Sequence, residues 1–111
     1  MDVLEARTRL QAVPGTEEYV HFGRPAYRLR PSGSTKRPGR TFTTLWPEEG
    51  HVVLMLDQEQ QAELIARHPA VFAPHPSKWG LNGATLMLLA KVNPRIFEMA
   101  VGLALAHARR P

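Results

Sequence analysis

Residues 41–56 read TFTTLWPEEGHVVLML, two apolar runs separated by Pro47-Glu48-Glu49-Gly50. Pro and Gly favour a turn, so Thr41 to Trp46 and His51 to Leu56 are predicted to form a β-hairpin around a four-residue loop. The second run is apolar on both alternating faces, as expected of a central strand that is covered above and below. The rest of the chain can be placed relative to this hairpin.

Two further strands are predicted on either side of the hairpin. Residues 24–30 alternate so that three arginines share one side, which predicts a first strand with a basic outer face. Residues 31–39 are rich in Pro, Gly, Ser and Thr and predict a mobile hairpin tip. Residues 70–83 carry prolines and glycines and predict a crossing loop, and Thr85 to Ala90, apolar on both faces, predicts a fourth strand beside the central one.

Three helices are predicted from their capping residues. Asp2 precedes a short amphipathic helix that ends at Pro14-Gly15, and Asp57 precedes a helix of about three turns that Pro69 stops. Asn93 caps the last helix, with Pro94 in its first position. The predicted fold class is α+β, with an antiparallel sheet of about four strands in the order α-β-β-β-α-β-α.

Composition limits the class of protein. A chain of 111 residues has a single-domain length, so one domain over residues 1–111 is expected. Without cysteine, disulfides and thiolate metal sites are excluded. No apolar run reaches the roughly 20 residues that cross a bilayer, and no signal peptide is recognised, so a soluble cytoplasmic protein without membrane contact is expected.

Basic residues are concentrated in one part of the chain, residues 24–40, which we call the basic segment. The formal net charge is +4, and this segment holds six basic residues and no acid. They are Arg24, Arg28, Arg30, Lys36, Arg37 and Arg40. Such a geometry can track phosphates without reading bases, although a solvated loop that keeps the protein soluble is the commoner explanation of a charge run.

Aromatic residues offer a second kind of site. Trp46 and Trp79, the latter following Lys78, are large, flat and next to Pro or Gly, so they could stack on a base or line a ligand pocket. Burial in the core is the commoner fate of tryptophan. The five histidines are scattered without metal-ligand spacing, and no nucleophile elbow, Walker loop or dinucleotide fingerprint is present. We therefore expect no enzyme activity, no cofactor and no metal.

Several local patterns resemble the MmcQ/YjbR family of small bacterial proteins. Residues 14–18, PGTEE, followed by Phe22-Gly23, resemble the opening of that family, and residues 68–72, HPAVF, resemble one of its branches. Residues 79–85, WGLNGAT, resemble the same branch, whereas of the Asn-Lys-x-x-Trp stretch found in another branch only Lys78-Trp79 is present. The resemblance covers nearly the whole chain.

The resemblance implies a frataxin-like α+β fold, described for the family as a double wing and proposed to bind DNA. It implies no catalytic residue. The sequence therefore favours a non-enzymatic binding protein, with weak, sequence-independent DNA binding by the basic segment ahead of an alternative, a protein-interaction or small-ligand module acting as a homodimer. The homodimer is expected because an apolar patch would otherwise face water. Its candidate residues are Val53, Met55, Met87 and Leu89, or the flank Met99 and Leu103.

Overall fold

The computed structural model describes residues 1–33 and 36–111. Within these residues the helices are Val3–Gln11 (α1), Gln58–Arg67 (α2), Lys78–Leu81 (α3) and Pro94–Ala108 (α4). The strands are Thr16–His21 (β1), Arg24–Leu29 (β2), Thr41–Trp46 (β3), His51–Leu54 (β4), Phe72–Pro74 (β5) and Thr85–Leu88 (β6). They form one antiparallel sheet in the order β1-β2-β3-β4-β6-β5. The predicted mobile tip, residues 31–39, includes residues 34 and 35, which lie outside the described residues.

The predicted hairpin is confirmed as β3 and β4. Trp46 pairs with His51, and the Gly50 amide donates to the Trp46 carbonyl at 2.9 Å. Gly50 has a φ of +73°, which a side chain would disfavour, so glycine closes this turn at little cost. β6 pairs with β4, with Val52 opposite Met87, which confirms that the fourth predicted strand lies beside the central one.

Over the described residues the sheet has six strands, so the prediction of about four is wrong in number. The missed strands are β1, where no element was predicted, and β5, which falls within the predicted crossing loop together with α3. Both missed strands lie at the edges of the sheet. An edge strand tolerates Pro74 at its end and the charged pair Glu17-Glu18 in its middle, and these residues weaken the pattern expected of a strand.

The predicted starts of the three long helices are confirmed by their caps. Asp2 accepts from the Glu5 amide at 2.7 Å, and Asn93 accepts from the Ile96 amide at 2.8 Å. Asp57 forms a full capping box, in which the Gln60 side chain in turn accepts from the Asp57 amide. These bonds satisfy amide groups that have no partner within the helix.

The core lies between one face of the sheet and the long helices. Strand residues such as Phe42, Leu45 and Val52 are fully buried there against Leu10 of α1 and Phe97 of α4. Further core members are Tyr27, Leu54, Leu64, Phe72, Met87, Ala100 and Ala104. The residues between them point to the opposite face, which we call the open face.

As predicted, the central strand β4 is buried on both faces. Val53 of β4 points to the open face and is only 3% exposed, although it belongs to no part of the helix-facing core. It lies in a cleft that Trp46 and, from the short helix α3, Trp79 also line. The open face is therefore a concave surface rather than a second packed layer.

Candidate functional site

A cleft of about 350 Å³ lies on the open face, and we call it the aromatic cleft. Strands β1 to β4 and the segment from β5 into α3 contribute its walls. Its principal lining residues are Tyr19, Arg24, Trp46, Val53, His75 and Trp79. The sequence pattern brings them together because alternate residues of neighbouring antiparallel strands share a face.

Arg24 and Trp46 form the best-defined contact of the cleft. The Arg24 guanidinium carbon lies 3.4 Å from the centre of the Trp46 ring, a cation–π stack. The indole Nε1 donates to the hydroxyl of Thr44 at 2.8 Å, which fixes the plane of the ring. His51, opposite Trp46 in β4, packs against the same ring at 5.8 Å, and burial lowers its pKa. The stack is thus held in one orientation before any ligand arrives.

Tyr19 forms the wall on the side of β1. The guanidinium carbon of Arg28 lies 4.2 Å from the Tyr19 ring centre, and its Nε donates to Glu17 at 3.4 Å. The Tyr19 hydroxyl is hydrogen-bonded to Thr41. Arg28 therefore already has an aromatic and an acidic partner, which leaves it less positive charge to offer a ligand.

Trp79 forms the opposite wall and is 61% exposed, so the expectation that this tryptophan is buried in the core is wrong. The Ser77 hydroxyl caps α3 by accepting from the Trp79 amide at 3.2 Å, and it is hydrogen-bonded to His75 at 2.8 Å. The His75 and Trp79 rings lie 6.0 Å apart. A short, capped turn thus presents a large aromatic surface to solvent.

The β1–β2 turn also lines the cleft, and sequence reasoning missed it. Phe22 has a φ of +50° and Gly23 a φ of +78°, so both central residues of this two-residue turn are left-handed. Phenylalanine rarely adopts that conformation, and here its ring is 82% exposed. The Phe-Gly pair between two alternating runs was the available pattern for this hairpin.

The other predicted basic residues lie outside the cleft. Arg30 donates to the Thr16 carbonyl at 2.9 Å, and Arg40 donates to the Arg110 carbonyl at 2.9 Å. Lys36 and Arg37 are exposed. Lys78 is also exposed. It lines a separate groove with Gln58 and Gln61, and not the cleft that Trp79 lines.

Charge is poorly compensated along the basic segment. Of Arg24, Arg28, Arg30, Lys36 and Arg40, Arg28 is the one with a carboxylate partner among the described residues. Bonds to backbone carbonyls leave the charges of Arg30 and Arg40 in place. The surface along β2 and at the start of β3, next to the aromatic cleft, is therefore positively charged.

A polar network on the helical face was also missed. Glu18 accepts from Arg7 at 2.8 Å and from the hydroxyl of fully buried Tyr27 at 2.6 Å, with Gln11 at 3.2 Å. Mainly through the hydrogen bond from Arg7, the pKa of Glu18 falls to about 2, and burial raises the pKa of Tyr27 above its usual range. This network joins α1 to β1 and β2 and lies away from the cleft.

Two other kinds of feature are absent from the described part of the chain. Residues 1–33 and 36–111 contain no group of three or more His, Cys, Asp or Glu side chains arranged to hold a metal ion. Over the same residues, no helix has the length and apolar character needed to cross a bilayer.

Comparisons with known proteins address the fold and the family. The family model described as YjbR matches residues 11–101. The chain is similar to the crystal structure of protein DR2400 from Deinococcus radiodurans, whose domain is described as DUF419, with a TM-score of 0.71 and 17% identity. That similarity covers 98% of this chain and 80% of the other. No curated protein sequence matches significantly.

Proposed function

The chain belongs to the YjbR family, and from this premise we propose that it is a non-enzymatic binding protein that holds nucleic acid weakly, without base preference, on the side of its basic segment. The observation that carries this proposal is the uncompensated charge of four basic residues of that segment. Arg24 on β2, Arg30 just after it, and Lys36 and Arg40 before β3 face no carboxylate among the described residues. A positively charged surface of this kind attracts a polyanion.

Sequence-independent binding fits the chemistry of these groups. Arginine forks bind phosphate oxygens in pairs, and phosphates are the same whatever the base. Arg28 is expected to contribute less because Glu17 already neutralises part of its charge. Arg24 lies on β2, and Arg30 and Arg40 lie next to the ends of β2 and β3, rather than on an exposed helix that could enter a groove, which favours contacts to the backbone over contacts to base edges.

We expect affinity for a 20-base-pair duplex to fall steeply with salt. If about four phosphates are contacted, log K falls with log salt at a slope near −3.6, so affinity drops roughly a hundredfold between 50 and 200 mM salt. Replacing Arg30, Lys36 and Arg40 by alanine should flatten the slope by up to about 2.7. Fluorescence anisotropy across salt measures both.

The control for this experiment removes the same charge elsewhere. Arg67, Lys91 and Arg95 are exposed and lie in α2 and around the start of α4. Their replacement by alanine should leave the slope unchanged. If the two triple variants have equal slopes, or if the wild type binds no duplex at 50 mM salt, the proposal is wrong and the basic segment serves only as a solvated loop.

A homodimer is the second candidate, but the structure changes which residues could form its interface. Met87 and Leu89 are buried within the single chain, so they need no partner. The α4 flank remains, where Met99 is 40% exposed and Leu103 is half-buried. An unpartnered apolar stripe on a long helix favours association with a second copy.

Light scattering at tens of micromolar tests the dimer. Two chains of 12.4 kDa should give a particle of about twice that mass, and Met99→Glu should return it to one chain by placing a charge in the interface. Leu4→Glu, at the exposed Leu4 of α1, is the control and should remain dimeric. A wild-type protein that is monomeric at this concentration would contradict the proposed homodimer.

A further inference from the structure

We propose that the aromatic cleft is a small-molecule site for a flat aromatic compound bearing one anionic group, with the ring against Trp46 and Trp79 and the anion on Arg24. This inference goes beyond nucleic-acid binding because it requires no polymer and does not involve the rest of the basic segment. It rests on three independent features of the cleft: a preorganised donor, flat walls of limited volume, and a lining without acids.

The first feature is the state of Arg24. Its guanidinium is stacked on Trp46 at 3.4 Å and has no carboxylate or hydrogen-bond acceptor among the described residues. The stack holds the fork in place, so little further side-chain entropy is lost when an anion binds. Arg24 is half-buried at the side of an apolar cleft, and its N–H groups have no acceptor among the described residues. It is therefore suited to bind a carboxylate or phosphate through two hydrogen bonds.

The second feature is the shape and surface of the cleft. Val53 is 3% exposed and forms an apolar floor with Met55, while Tyr19, Trp46 and Trp79 supply aromatic surface. A volume of about 350 Å³ is at the small end of ligand sites, which suits one or two fused rings better than a long chain. A flat ring would also cover Trp79, which otherwise exposes most of its surface to water.

The third feature is charge complementarity. No aspartate or glutamate lines the cleft, and its titratable side chains besides Tyr19 are Arg24, His21 and His75. A cationic ligand would meet repulsion from Arg24 without any compensating acid. The same site therefore selects an anion and rejects an amine of the same shape.

The test compares two matched probes, 2-naphthoate and uncharged 2-naphthalenemethanol. Titrations followed by calorimetry and by the indole N–H resonances of Trp46 and Trp79 should show naphthoate binding about tenfold more tightly, because only the anion forms charge-assisted bonds with Arg24. Arg24→Gln should abolish that preference. Arg30→Gln, a change of the same kind just after the end of β2 and outside the cleft, should preserve it.

Trp79→Ala provides a second variant at an exposed position. It should weaken both probes roughly tenfold, since the wall it removes serves the ring and not the anion. Equal affinity for the two probes, no binding of either, or an anion preference that survives Arg24→Gln would overturn the inference. Duplex anisotropy with the wild type separates the two proposals, because a wild type that binds duplex but not naphthoate overturns this one alone.

Discussion

Replacing Gly80 or Gly83 by alanine is expected to lower the free energy of unfolding by about 3 kcal/mol or more, because each change forces a methyl group into backbone. A Cβ on Gly80 would lie 1.8 Å from the His75 carbonyl oxygen, and one on Gly83 would lie 2.1 Å from the Leu56 carbonyl oxygen. Gly83 also has a φ of +115°, which alanine disfavours. Urea denaturation of each variant measures the loss.

Gly102 is the matched control, because it lies within α4 with nothing within 4 Å of a Cβ placed there. Gly102→Ala should stabilise the protein by about 0.5–1 kcal/mol, the usual gain at an exposed helix position. Similar effects at all three glycines would show that the close approaches at α3 are not rigid. A large loss confined to Gly80 and Gly83 would show that these close approaches are rigid.

These glycines show where sequence reasoning ended. Gly80 and Gly83 were predicted to lie in a loop, and their spacing after Trp79 contributed to the family resemblance. Their physical role depends on the backbone of His75, just after β5, and of Leu56 and Asp57, between β4 and α2, which approach these glycines only in the folded protein. Local pattern cannot reveal that Gly83 packs against Leu56, which is distant in sequence, or that the chain turns back so that Gly80 meets His75.

The fold was predictable wherever the pattern was strong. The hairpin, the strand beside it and the three capped helices each combine a clear apolar run with a turn or capping residue. The edge strands β1 and β5 escaped because an edge strand buries little and carries charge or proline. Their loss from the prediction changed the strand count but not the α+β class.

Three residues of the candidate site, Arg24, Trp46 and Trp79, could be singled out from the sequence, but their grouping could not. Arg24 was grouped with five other basic residues, yet the structure places it against Trp46 and in a cleft shared with Trp79. Arg30 and Arg40 instead contact backbone carbonyls elsewhere. The pairing of β2 with β3 and the position of α3 place Arg24 in the cleft and the other arginines outside it. Neither feature can be predicted from composition or spacing.

Glu18→Gln is expected to lower the free energy of unfolding by about 2 kcal/mol at pH 7. The glutamine keeps the shape of the side chain and can still accept from Tyr27, but the amide NH2 group that replaces Oε1 cannot accept the hydrogen bond that Arg7 Nη2 now donates. Tyr27 is fully buried, so any weakening of its single hydroxyl bond is costly. Thermal and urea unfolding of the two proteins measure the difference.

The effect should depend on pH in a defined direction. The pKa of Glu18 is lowered from 4.5 to about 2, mainly by the hydrogen bond from Arg7, so folding favours the ionised form. Its contribution is therefore fully present above about pH 4.5 and is lost as the pH falls towards 2. We expect the gap between wild type and Glu18→Gln to be constant from pH 7 to 5 and to narrow steadily below that.

Glu63 provides the control that separates this network from ordinary surface charge. It pairs with Arg67 one turn away on α2, with both side chains more than half exposed, so Glu63→Gln should change stability by less than about 0.5 kcal/mol at any pH. A Glu18 variant that behaved like the Glu63 variant would mean that water replaces the carboxylate at no cost. A Glu18 gap that narrows only below pH 4.5 would instead show that one ionised side chain holds α1 on the sheet.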